Sequence, residues 1–158
     1  MNNFKLEIKW AIIFTISSLV WMFIEKITGL HSTHIDKHYL WTNLFAFIAI
    51  AVYVLALLDK RKSLKGKMSF VQGFVSGLKI TVIVTLLAPL SQWLTHEVIS
   101  PEYFTNVIAY SIEEGHYANE ADAKAYFNFQ NYVQQSVFGA FGMGVFTSAI
   151  VALIVKKK

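Results

Sequence analysis

Gln130-Asn131-Tyr132-Val133-Gln134-Gln135 opens onto an uncharged, mostly apolar stretch from Ser136 to Val155, and Lys156-Lys157-Lys158 closes it. A helix of that length reaches across the roughly 30 Å hydrocarbon core of a bilayer, and the lysines stop it at an interface. Three further apolar blocks precede it, so the sequence is written for lipid as its solvent. In lipid every backbone N–H and C=O must pair within the protein, and helices meet that demand segment by segment. The expected fold is all-α: an integral membrane four-helix bundle forming a single domain, 1–158.

Composition agrees. The chain has 158 residues, of which 55% are hydrophobic, with a mean hydropathy of +0.47, too apolar for an ordinary soluble domain. The formal charge of +4 is concentrated in particular segments, which favours positive-inside topology over nucleic-acid binding. Cysteine is absent, which excludes disulfides, thiol catalysis and cysteine-ligated metals.

The four spans are expected at about 10–28, 39–58, 70–94 and 132–155. Lys5 and Lys9 precede the apolar run Trp10 to Ile24 as in a signal peptide, but Glu25-Lys26 follows with no small-x-small site, so a retained helix is expected, closed by Gly29. Trp41, Trp93 and Tyr132 stand near span ends, as interfacial aromatics do. Asp59-Lys60-Arg61-Lys62-Ser63-Leu64-Lys65-Gly66-Lys67 between spans two and three is strongly basic, and the terminal lysines lie an even number of crossings away. Both belong on the cytoplasmic side, and so do both termini. The long segment between spans three and four carries Glu97, Glu102, Glu113, Glu114, Glu120 and Asp122 against Lys124, and belongs outside.

That outer segment, about 101–131, reads as a helical hairpin. Phe104, Val107, Ile108 and Ser111 share one face of a first helix ending at Gly115, and Asn119 caps a second with Glu120 and Asp122 in its first turn. The second helix is expected to run directly into span four.

Every fourth position of span three gives Ser69, Gly73, Gly77, Thr81, Thr85 and Pro89. Span four likewise gives Ser136, Ala140, Gly144, Ser148 and Ala152. Such stripes let helix backbones approach closely in lipid, and a contact between these two spans, within one subunit or between two, is expected. Pro89 removes a donor facing Thr85, which implies a kink.

Lys79 is the formal charge inside a confidently apolar stretch. It either snorkels to the cytoplasmic interface or needs a buried partner, and no carboxylate of another span is expected at its depth. Glu25, Asn43, Gln92, Gln134 and Gln135 fall near outer span ends, where they line a vestibule or simply bond one another and the headgroups. His31, His34 and His38, with Asp36 among them, offer zinc or copper ligands, but on a polar loop and without a standard zinc spacing they read first as solvated side chains. His96-Glu97 and His116 also fall outside, and the chain has no HExxH, GxSxG or P-loop.

The Ser69-Phe70-Val71-Gln72-Gly73-Phe74-Val75-Ser76-Gly77 segment after a basic loop is similar to the serine-phenylalanine-glycine signature of a known family. Ile99-Ser100-Pro101-Glu102-Tyr103-Phe104, an acidic two-helix segment and a Gly-rich last span with terminal lysines are similar to its second half. The chain thus resembles the domain of unknown function 4199 family, small four-span proteins found mostly in Bacteroidota. The resemblance implies an inner-membrane location, with the outer side facing the periplasm, and no established activity or catalytic residues.

The expected role is therefore non-enzymatic and without a cofactor. In the first reading the protein is an accessory or assembly protein whose outer face, Phe104, Val107 and Ile108, engages another membrane protein or a second copy. A small oligomeric transporter or channel is the alternative. Nucleic acid is not an expected partner; the lipid bilayer is.

Overall fold

A computed structural model of the chain describes residues 4–157, so Lys158 of the closing lysine run lies outside the described residues. Its helices are α1 (Lys5–Ile27), α2 (His38–Trp41), α3 (Phe45–Ser63), α4 (Phe70–Trp93), α5 (Tyr103–Glu113), α6 (Glu120–Tyr126) and α7 (Phe129–Val155). Tight 3-10 turns, Ile35–Lys37 and Thr42–Leu44, flank α2, and a π-helical turn, Leu94–Ile99, extends α4. Four stretches are long and apolar enough to cross a membrane: Lys5–Ile27, Ile35–Ser63, Phe70–Ile99 and Glu120–Val155. Leu86, Phe138 and Ile154 are all more than 70% exposed on the bundle's outside, as side chains bathed in lipid are.

The bundle is built on α4 against α7. Ser69 caps α4 reciprocally: its Oγ accepts from Gln72 N at 3.2 Å, while Gln72 Oε1 accepts from Ser69 N at 2.8 Å. The two small-residue stripes then meet in antiparallel register within one chain. A Cβ placed on Gly73 would lie 3.2 Å from that of Ala152. One on Gly77 would lie 2.6 Å from Ser148 Oγ, and one on Gly144 2.5 Å from Thr81 Cγ2. Each step of four along α4 is thus matched by a step of four back along α7, and no larger residue fits without separating the helices. Met68 and Lys157 close the register by exchanging backbone hydrogen bonds of 2.8 and 2.9 Å.

Tyr53 of α3 joins this seam where its hydroxyl lies 2.8 Å from Thr81 Oγ1, with Ser148 3.4 Å beyond. Ala11, Ala56, Leu57, Ile80, Val84 and Val151 fill the space around it. Beyond this seam, buried charged and imidazole side chains collect at the bundle's two ends. One end carries the 60–67 basic loop and Lys157; the other carries His31, His38 and His96.

Three boundaries depart from the sequence reading, each where a polar residue finds a partner that hydropathy alone does not reveal. α1 begins at Lys5 rather than Trp10 because Glu7 is satisfied by Lys60 and Ser76. α3 continues past Leu58 to Ser63 because Asp59 accepts from Lys9 and Trp10, and Arg61 Nη1 donates to the Val155 carbonyl at 2.9 Å. α6 does not run into α7, because Asn128 takes an extended conformation and its Oδ1 caps Asn131 N at 2.9 Å. α4 passes through Pro89 to Trp93, and the Thr85 hydroxyl is buried without a partner.

Candidate functional site

The histidine end is organised by one glycine. α1 ends in a Schellman motif: Leu30 N donates to Glu25 O at 2.9 Å and Gly29 N to Lys26 O at 3.0 Å, with Gly29 at φ +80°. A side chain at Gly29 would also put its Cβ 2.5 Å from Thr33 Oγ1. The reversal returns the chain over its own last turn, so that His31 lands on Glu25 with its Nε2 3.2 Å from Glu25 Oε2. The following 3-10 turn delivers His38, first residue of α2, to the same oxygen at 3.3 Å. Trp21, one turn back along α1, donates its indole N–H to Glu25 Oε1 at 2.5 Å.

Glu25 is fully buried, His31 is 3% exposed, and the His38 side chain is 21% exposed. Asn106 of α5 donates to the His31 carbonyl at 2.9 Å and pins the loop from above. Tyr103 stands between the imidazoles, its ring 5.2 Å from His31, 5.4 Å from His38 and 5.3 Å from His96. Burial, with Tyr132 beside it, pushes the Tyr103 phenol above its ordinary range, so it stays a neutral hydroxyl. Its oxygen lies 3.1 Å from that of Tyr132. A cavity of about 200 Å³ opens among Met22, His31, His38, Thr42, Gln92, Thr95, His96, Tyr103 and Tyr132. His96 Nε2 lies 3.0 Å from Gln92 Oε1, and the Nδ1 atoms of His96 and His31 are buried without partners.

Above this site lies a wider, open cleft of about 500 Å³. Six of the chain's seven tyrosines, Tyr39, Tyr103, Tyr110, Tyr117, Tyr126 and Tyr132, line it. His38, Tyr103 and Tyr132 form walls of both spaces.

The structure sorts the candidate residues differently from the sequence. Of the outer polar group, Glu25 and Gln92 reach the histidine cluster, whereas Asn43 bonds back to Tyr39 O and Gln134 is exposed. Among the loop groups, His31 and His38 converge while His34 and Asp36 stay out of the cluster. The face of α5 read as a partner surface is turned inward instead. Val107 and Ile108 are buried and Phe104 stacks on His96 at 4.3 Å, because an amphipathic helix lying over a bundle end covers that end first.

At the basic end, Glu7 is 1% exposed, and its Oε1 accepts from Lys60 Nζ at 2.8 Å and from Ser76 Oγ at 2.7 Å. Lys79 lines a cavity of about 300 Å³ with Glu7 and Lys60, and its Nζ stands 4.5 Å from the Phe4 ring centroid. The expectation that no carboxylate lies at the depth of Lys79 is thereby corrected. Glu7 is there because α1 starts earlier than the apolar run does.

A family model described as "Protein of unknown function (DUF4199)" matches residues 9–157. No curated protein and no solved structure is detectably similar to the chain.

Proposed function

Because the chain belongs to the DUF4199 family of proteins of unknown function, which supplies kinship but no activity, we propose from its own residues that it is a non-enzymatic interaction protein of a bacterial inner membrane. The observation that carries this reading is the tyrosine-lined cleft at the histidine end. Tyrosine offers a large, stiff contact area with a polar tip and is enriched where proteins recognise one another.

Orientation follows from charge. The 60–67 loop and Lys156-Lys157 gather lysine and arginine at one end, and the acids Glu97, Glu102, Glu113, Glu114, Glu120 and Asp122 lie toward the other. The positive-inside rule places the basic end and both termini in the cytoplasm and the cleft in the periplasm. The cleft's occupant is a segment of another envelope protein. The packed seam of Tyr53, Thr81 and Ser148, closed around by Leu57 and Ile80, speaks against a transport route within one chain.

The test is site-specific photocrosslinking in native membranes from position 126, where Tyr126 is 46% exposed at the cleft rim. A discrete protein adduct that disappears in Tyr110→Ala is the expected result. Labelling confined to lipid, or an adduct indifferent to the cleft residues, would overturn the reading.

A further inference from the structure

We propose that Glu25, His31 and His38 form a binding site for a divalent first-row transition-metal ion, zinc or a close neighbour, with a fourth position open to the cavity beneath Tyr103. The ligand atoms, one carboxylate oxygen and two imidazole nitrogens, lie within 4.8 Å of one another. Metal–ligand bonds of about 2.0–2.1 Å at tetrahedral angles separate neighbouring ligand atoms by about 3.3 Å. Glu25 Oε2 lies 3.2 Å from His31 Nε2 and 3.3 Å from His38 Nε2. Those are two edges of such a tetrahedron already formed.

What points to an ion beyond a hydrogen-bond network is convergence. Both contacts sit at the long edge of the N–H···O range and serve as hydrogen bonds when no ion is bound. Both rings converge on the same oxygen, while Trp21 holds the other one, the arrangement in which an outer partner fixes a ligating carboxylate. The donor set of two nitrogens and one oxygen, with no cysteine in the chain, suits zinc, cobalt, nickel, copper(II) or iron(II) rather than calcium or magnesium, which prefer oxygen alone.

The second observation is the cavity beside the cluster. At about 200 Å³ it has room for an ion with a water or an external ligand, and His96, 5% exposed, lines it with its Nδ1 unpartnered. Three protein ligands and one open position distinguish a site that exchanges or presents its metal from a closed structural one. Since His38, Tyr103 and Tyr132 wall both the cavity and the tyrosine cleft, the fourth position faces whatever enters that cleft.

The test uses the full chain purified in detergent, stripped with a chelator and titrated with Co²⁺ as a spectroscopic stand-in for zinc. The expected result is one Co²⁺ per chain, with the intense visible absorption of a four-coordinate ion, displaced by one equivalent of Zn²⁺. Glu25→Gln and His38→Gln each weaken binding by about 100-fold or more, and Trp21→Phe, which touches only the carboxylate's far oxygen, by about 10-fold. His34→Gln, on the same loop but outside the cluster, leaves binding unchanged. Circular dichroism melts accompany each variant; should Glu25→Gln fail to fold, the partly exposed His38→Gln carries the test. Absence of the absorption band, or a band that survives His38→Gln, overturns the proposal. Metal stripping tests this site separately from the cleft, because a crosslink from position 126 reports on the cleft whether or not the ion is bound.

Discussion

Each end of the bundle buries a glutamate of α1, and the two are neutralised in different ways. Glu7 faces Lys60, a permanent ammonium, with the Ser76 hydroxyl completing its bonds. Glu25 meets two imidazoles, an indole and the hydroxyl of Thr42, none a fixed cation. The first arrangement is complete as it stands and locks α1 to α3 and α4. The second is conditional, because imidazoles carry charge only when protonated and otherwise offer lone pairs to a metal. A buried acid matched by a lysine is a structural joint. A buried acid matched by histidines beside an open cavity is a place where something exchanges.

The sharpest way to break this contrast is to remove the fixed cation. Lys60→Met strands the Glu7 carboxylate in the bundle, and stability measured by thermal melting in detergent is expected to drop by about 3–5 kcal/mol, with zinc giving no rescue. If zinc did restore it, the two ends would not be chemically distinct. Next in size, zinc at about 100 times its dissociation constant should stabilise the stripped wild-type chain by about 2.7 kcal/mol. It should leave Glu25→Gln unmoved in the same melt. A smaller effect is expected from Gly29→Ala, which forces a side chain to φ +80° against Thr33. About 1–2 kcal/mol is lost, and the His31 contact loosens, read as weaker cobalt binding. Smallest is Asp59→Asn: the Lys9–Asp59 pair of 2.6 Å has side chains 54% and 34% exposed, so about 0.5 kcal/mol is expected by the same melt. A larger loss would show that not only fully buried acids matter at the basic end.

The four long apolar helices and the contact between α4 and α7 were readable from sequence because lipid simplifies the code, whereas the register of that contact and its place within one chain came from the fold. Uncharged length marks a span, and a four-residue rhythm of Gly77, Thr81, Gly144 and Ser148 marks where backbones touch. Polar residues at span ends were harder. Hydropathy assigns Lys5, Glu7 and Lys9 alike to a solvated flank, yet Glu7 and Ala11, one turn apart, both face inward. The helical spacing to Ala11 was the available signal.

The histidine cluster was half visible. His31 and His38 stood out as loop residues, but chain proximity grouped them with His34 and Asp36, whereas the fold grouped them with Glu25. The missing step was the turn at Gly29: a helix-closing glycine with positive φ brings the residue two beyond it back over the last helical turn. The tyrosines of the cleft, spread from Tyr39 to Tyr132, carry no local pattern, and only the tertiary fold assembles them.

The central claim is that the histidine end, unlike the basic end, is built to hold a metal ion. Zinc K-edge X-ray absorption on the purified chain loaded with one equivalent addresses it most directly. The account predicts a first shell of nitrogen and oxygen at about 2.0–2.1 Å, with outer-shell scattering from two imidazoles that falls by half or more in His38→Gln. A spectrum without imidazole scattering, or one identical in wild type and His38→Gln, would contradict it.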